Sequence, residues 1–253
     1  MITISINPVA FLGIRWYGVF VALAALVLVF WMLREVRRGA KLSYNTIFTA
    51  ALVGIPSAIV FSRLLHVIDR WGYYSQNPAE IIGAEGLSFY GAILGAALGI
   101  WIYSKLSNFQ FGYLADLIAP VIPLAQAIGR IGCTINGCCH GIATSLPWGV
   151  VYTHPDSFGP LGVAVHPTQP YEIIFCLLVF GILLKLRGRF KPDGSLFLIY
   201  LSLYALWRVG SDFLRVGTPF LFGLHQAQVI GIVVLAITIP LLAYRTRLGT
   251  EAR

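Results

Sequence analysis

Leu117-Ile-Ala-Pro-Val-Ile-Pro-Leu-Ala-Gln-Ala-Ile128 runs without a charge straight into Gly129-Arg-Ile-Gly-Cys-Thr-Ile-Asn-Gly-Cys-Cys-His-Gly141. With Gln126 as its only polar side chain, the first half belongs in an apolar medium and carries Arg130 to that medium's boundary. An ionisable side chain there is costly and marks a functional site. The second half concentrates a cation, an amide, three of the four cysteines and a histidine, spaced by four glycines. Glycine admits positive backbone angles and close approach of main-chain N–H groups to a ligand, which suits an anion. The plainer alternative is a broken helix end whose arginine snorkels to lipid phosphate.

The rest of the chain has the same character. Of 253 residues, 58% are hydrophobic and 11% charged, and the mean hydropathy is +0.80. These values exclude an ordinary soluble domain and indicate a polytopic membrane protein. The net charge of +8 comes as short clusters at the ends of apolar runs, a topology signal rather than a nucleic-acid surface. Four cysteines, two of them adjacent and Cys176 inside an apolar run, make no disulfide framework. The first apolar run lacks a preceding basic region and a small-residue cleavage pattern, so it is expected to remain as a span.

The expected fold is all-α, a transmembrane bundle of seven spans near residues 11–33, 46–68, 87–104, 113–128, 171–186, 194–211 and 224–244, each close to the length a bilayer needs. Arg34, Arg37, Arg38 and Lys41 follow the first span, Lys105 the third, Lys185, Arg187, Arg189 and Lys191 the fifth, and Arg245, Arg247 and Arg253 the seventh. These are alternate ends, which puts the N-terminus outside and the C-terminus in the cytoplasm. The whole of 1–253 then forms one membrane domain with outer cap loops at about 69–86 and 142–170.

Arg15, Arg63, Arg70, Arg130, Arg208 and Arg215 fall in spans or on the outer side. Arg70 and Arg215 are expected to meet water or lipid headgroups, whereas the other four need partners. Arg208 has Asp212 four residues on, the helical ion-pair spacing, and Arg63 and His66 share a helix face. Gly91, Gly95 and Gly99 form the small-residue seam that lets helices pack closely in lipid.

Five ordered segments together resemble the bacterial prolipoprotein diacylglyceryl transferase family. They are Leu12-Gly-Ile-Arg-Trp-Tyr-Gly18, Gly86-Leu-Ser-Phe-Tyr-Gly-Ala92, Ala115-Asp-Leu-Ile-Ala-Pro-Val-Ile-Pro123 leading into Gly129-Arg-Ile-Gly132, His166-Pro-Thr-Gln-Pro-Tyr-Glu172, and Tyr204-Ala-Leu-Trp-Arg-Val-Gly-Ser-Asp212. The resemblance implies an inner-membrane enzyme that moves the diacylglyceryl group of phosphatidylglycerol onto the lipobox cysteine thiol of a preprolipoprotein and releases glycerol phosphate. Its implied partners are that lipid, the lipobox peptide and membrane lipid, with no nucleic acid, cofactor or metal. By position, the resemblance assigns Tyr90, Arg130 and Arg208 to catalysis and Arg130, Arg208, Tyr17, Asn136, Gly141, Tyr204 and Asp212 to substrate binding. Guanidinium forks suit a phosphodiester whose charge grows as it departs.

The chain also departs from the family. Tyr90 stands where the family has a histidine, and a phenol is the poorer base, with an unperturbed pKa near 10 against about 6.5. Cys133 and Cys138 replace an asparagine and an acidic residue, His140 replaces an aromatic, and Asp212 replaces a glutamate. Cys133, Cys138, Cys139 and His140 admit small polar packing, disulfide or redox use, or a metal; the spacing is no standard zinc pattern. A divergent homologue with another lipid-transfer or thiol-redox role, and a small-molecule transporter, are the alternative functions. The absence of repeated halves counts against the transporter.

Overall fold

The computed structural model describes residues 1–83, 88–107, 109–190, 192–217 and 219–251, and the side chains of these except at 89, 90 and 246–251. In chain order the elements are β1 (Ile2–Ile4), β2 (Val9–Phe11), β3 (Ile14–Arg15), α1 (Trp16–Arg37), α2 (Tyr44–Asp69), α3 (Trp71–Tyr74), a 3-10 turn (Pro78–Ile82), α4 (Phe89–Leu106), α5 (Phe111–Ile118) and α6 (Val121–Asn136). They continue with β4 (Val150–Tyr152), β5 (Ala164–Val165), α7 (Thr168–Leu186), α8 (Ser195–Ser211), a 3-10 turn (Asp212–Leu214), β6 (Pro219–Leu221), β7 (Leu224–His225) and α9 (Gln226–Glu251).

Among the described residues each apolar run read from the sequence is mostly helical, with short strands at the starts of the runs 11–33 and 224–244 and residue 87 of the run 87–104 outside the described residues. Five helices, Trp16–Arg37, Tyr44–Asp69, Thr168–Leu186, Ser195–Leu214 and Gln226–Arg245, are long and apolar enough to cross a membrane. The pair α5 and α6 qualifies together but is bent by 47°, and Gly91–Leu106 is a shorter apolar helix. Pro120, directly before α6, cannot donate the hydrogen bond that would join the pair into one straight helix. Leu26, Phe30, Leu52, Leu94, Leu178, Leu206 and Ile237 point outward, the composition of a bundle solvated by lipid rather than water. The protein is therefore a multi-pass, helical membrane protein.

The chain divides into two compact units, one of Met1–Met32 with Gly112–Arg253 and one of Leu33–Phe111. In the first, Ala119, Val179, Leu183, Leu196 and Tyr200 form a fully apolar core. Asp116 ties α5 to α8 by accepting hydrogen bonds from the N–H groups of Gly194 at 2.8 Å and Phe197 at 2.9 Å, satisfying donors that a helix start leaves open. Short strands absent from the sequence expectation build a cap. β1 pairs parallel to β4 and β4 antiparallel to β5, burying Val150, Tyr152 and Val165.

In the second unit α2 packs on α4 along the expected seam. A Cβ at Gly91 or Gly95 would overlap the carbonyl oxygen of Phe61 or Ser57, and one at Gly99 the Ser57 hydroxyl. Such backbone proximity is what small residues give helices in lipid. Arg63, for which the sequence showed no partner but a shared face with His66, donates from Nε to the Ile81 carbonyl at 2.9 Å and also bonds the Glu80 carbonyl. Its guanidinium lies 5.0 Å from the Tyr74 ring centroid. It thus folds the chain after α2 back onto that helix.

Candidate active site

α6 remains helical through Gly129, Arg130 and Gly132, beyond the expected end at residue 128, and stops at Asn136 with Gly137 in the left-handed conformation. Gly132 serves close packing: a Cβ there would come within 2.9 Å of Phe20 Cβ and 3.0 Å of Tyr17 Cα on α1. This glycine brings the half-exposed Tyr17 beside the signature helix.

Arg130 leaves α6 toward Glu172 near the start of α7, with Nε 3.0 Å from Oε2. Arg215 Nη1 reaches the same oxygen at 3.3 Å, and the Tyr204 hydroxyl on α8 donates to Oε1 at 3.1 Å. Glu172 is 1% exposed, so this carboxylate is paid for by two guanidiniums and a phenol, the pairing that a buried charge requires. Arg215 was expected to meet water or headgroups; its side chain is instead 12% exposed and bound to Glu172.

A second cluster adjoins the end of α8. Arg208 Nη2 lies 2.8 Å from Asp212 Oδ1, in the expected helical pairing. Asp212 Oδ2 meets His225 Nδ1 at 2.9 Å. Gln228 accepts from the His225 backbone N–H at 2.9 Å and donates to the Val209 carbonyl at 3.3 Å, joining α9 to α8. Gly141 closes the loop against Arg215 as a β-bridge partner, donating its N–H to the His166 carbonyl at 2.9 Å. A side chain there would overlap the Leu214 carbonyl.

Between α6 and the cap, Arg15 donates to Asn136 Oδ1 at 2.9 Å and to the Asp156 carbonyl at 3.1 Å, with its guanidinium 4.1 Å from the Phe158 ring centroid. Asn136, 3% exposed, also hydrogen-bonds Cys138. The sulfurs of Cys133, Cys138 and Cys139 all lie within 4.8 Å of one another, and all are free thiols. Hydrogen bonds from the Cys133 and Cys138 thiols hold Cys139 well below the ordinary thiol range, helped by the Arg130 and Arg215 cations. Cys138 is pushed up: its hydrogen bond with Cys133 favours the thiolate, but Cys139 and burial outweigh it.

An apolar groove of about 380 Å³ runs between α7 and α8, lined by Tyr171, Phe175, Leu203, Trp207 and Ser211 and ending at Arg215. Trp207 Nε1 and Ser211 Oγ are buried in it without hydrogen-bond partners. The first unit thus gathers Arg130, Arg208, Tyr204, Asp212, Asn136, Gly141, Cys133 and Cys138. The backbone of Tyr90 lies in α4, but its side chain falls outside the described residues.

The prolipoprotein diacylglyceryl transferase family model matches residues 3–244. The chain belongs to this family. It is 50% identical to the phosphatidylglycerol–prolipoprotein diacylglyceryl transferase of Dehalococcoides mccartyi, over 100% of this chain and 98% of that protein. It is 37% identical to the enzyme of that name from Bacillus licheniformis, covering 98% of this chain and 96% of the relative. For the one from Clostridioides difficile the identity is 34%, over 88% and 87%. Within this family member the residues that the sequence left without a site role are Arg215, Arg15 and His225. Arg215 carried a signal, being an outer-side arginine whose one near carboxylate, Asp212, is matched by spacing to Arg208. Glu172 carried a fainter one, as an acidic residue just after the cap in a chain with unmatched outer-side arginines.

Proposed function

We propose that the chain transfers the diacylglyceryl group of phosphatidylglycerol to the lipobox cysteine thiol of preprolipoproteins, in the bacterial cytoplasmic membrane. It would do so as one seven-span domain, N-terminus outside and C-terminus in the cytoplasm, with outer caps at about 69–86 and 142–170. The observation that carries this reading is the collection of Arg130, Arg208 and Arg215 around Glu172 and Asp212, in a chain half-identical over its length to proteins named for this reaction. Three guanidiniums against two carboxylates leave one positive charge, a match for an anionic phosphodiester.

Arg130 and Arg208 hold the phosphate, each oriented by its own carboxylate so that little reorganisation accompanies the reaction. Tyr204, Tyr17, Asn136, Gly141 and Asp212 shape the site. The groove between α7 and α8 takes an acyl chain. The family resemblance assigns the handling of the incoming thiol to the position of Tyr90. The test uses purified protein in detergent, labelled phosphatidylglycerol and a lipobox peptide. Label moves to the cysteine peptide and not to its serine counterpart, and Arg208→Ala abolishes the transfer. Full activity of Arg208→Ala would sink this placement of the phosphate.

A further inference from the structure

Three sulfurs drawn from a helix end and an adjacent pair do not converge by default. Here the convergence is built. Gly137 and Cys139 are both left-handed, with φ of 76° and 62°, and a non-glycine residue adopts that conformation only at a cost. The two peptide carbonyls of the adjacent pair are tied down by the start of α7, Thr168 Oγ1 donating to Cys139 O and Gln169 Nε2 to Cys138 O, both at 2.8 Å. Thr168 and Gln169 are 3% and 1% exposed. With the carbonyls turned toward α7, the thiols of Cys138 and Cys139 meet Cys133, and Cys139 keeps an exposed face.

We propose that Cys133, Cys138 and Cys139 bind one zinc ion as thiolates, leaving the fourth position open to the thiol of the lipobox cysteine. A tetrahedron with Zn–S of about 2.3 Å has sulfur edges of about 3.8 Å. Sulfurs already within 4.8 Å of one another reach it by movements of about 1 Å. Three thiolates and Zn2+ carry a net charge of about −1, beside the Arg130 and Arg215 cations that Glu172 holds in place. Outer hydrogen bonds are present too, from Arg130 Nη1 to Cys133 Sγ at 3.8 Å and from Asn136 to Cys138; such donors orient and tune ligands. Soft thiolates favour zinc over hard cations, and three protein ligands with one open position is the pattern of a catalytic rather than a structural site.

The chemical role rests on the proposed transferase reading. A zinc-bound hydroxide leaves as water on taking the proton of the lipobox thiol, and the peptide sulfur binds as a thiolate, because metal coordination deprotonates a thiol outright. That sulfur's electron pair then forms the S–C bond to the glyceryl carbon of the diacylglyceryl group. The C–O bond to phosphate breaks, its pair going to the oxygen of the departing glycerol phosphate. The cluster would thus supply the thiol activation for which Tyr90 is a weak base.

The test is metal analysis of the purified, dialysed protein together with its cobalt-substituted form. Expected are about one zinc per chain, lost in Cys138→Ser and Cys139→Ser, and a sulfur-to-cobalt charge-transfer band that shifts with the cysteine peptide and not with the serine one. Transfer falls at least about tenfold on chelation and returns with Zn2+. Because the variants could fail to fold, the cobalt spectrum and a thiol titration are run on the parent chain. Metal-free protein with titratable thiols at these positions and intact transfer overturns the zinc site and leaves the transferase reading standing. Tightly bound zinc without transfer overturns the transferase reading and, with it, the role of the open position.

Discussion

Replacing Glu172 by alanine removes the one carboxylate that Arg130 and Arg215 share, and leaves the Tyr204 hydroxyl without its acceptor. The two guanidiniums then face each other with side chains 19% and 12% exposed, where water screens them little. Breaking a buried ion pair from one side costs about 3–5 kcal/mol, and a stranded buried hydroxyl about 1 kcal/mol or more. Near this chain length a loss of that size lowers Tm by on the order of 10 °C. Glu172→Gln keeps an acceptor for Tyr204 and for one guanidinium, so about half that shift is expected. Thermal unfolding in mild detergent, followed by intrinsic fluorescence, reads both. Adding glycerol phosphate should return part of the loss in Glu172→Ala, since the freed arginines form a stronger anion site, and should do less for the parent. A Glu172→Ala protein melting within about 2 °C of the parent would show that the carboxylate does not hold the arginines together.

Three other outcomes are expected. Gly141→Ala forces a Cβ onto the Leu214 carbonyl and within 2.6 Å of His166 Cβ, and should cost about 1–3 kcal/mol and most of the transfer activity, read by melting and by the peptide assay. Asp116→Ala uncaps α8 and should cost about 1 kcal/mol while leaving the Michaelis constant for phosphatidylglycerol unchanged. Burial raises the Tyr152 phenol to about 12, against a weaker pull downward from Gln169. Its folded value thus exceeds the unfolded one near 10, so its contribution is complete below about pH 10 and is lost as pH rises toward 12. A pH series of melting temperatures should show that fall, and Tyr152→Phe should flatten it.

The helices were legible because lipid imposes one requirement on every spanning segment, an apolar run of sufficient length, and hydropathy reports it directly. The seam of Gly91, Gly95 and Gly99 was legible for a related reason, since its spacing is itself the geometry of close packing. The kink before α6 was not: Pro120 and Pro123 sit inside a run whose hydropathy never drops. Nor was the helical state of Gly129 and Gly132, which read as a turn; Gly132 in fact admits Phe20 and Tyr17. The site was half visible. Arg208 and Asp212 are neighbours along one helix, so spacing paired them, whereas Glu172 meets Arg130 and Arg215 from 42 and 43 residues away, contacts that only the fold creates. The cysteines were visible as a group, yet their convergence depends on Thr168 and Gln169, which belong to another helix.

The pairing of β1 with β4 sets a parity rule. Ile2, Thr3 and Ile4 are hydrogen-bonded neighbours of Val150, Val151 and Tyr152, so both strands lie on the same face of the bilayer, and the intervening chain crosses it an even number of times. On the proposed seven-span reading, in which α1, α2 and α4 each cross once, this rule requires the bent α5–α6 pair to cross as well; as a re-entrant loop it would leave three crossings and put the strands on opposite faces. The bridge between Gly141 and Arg215 imposes the same rule on α7 and α8, which cross as a pair. On the same reading a single crossing by α9 would carry the end of the chain to the face opposite the cap.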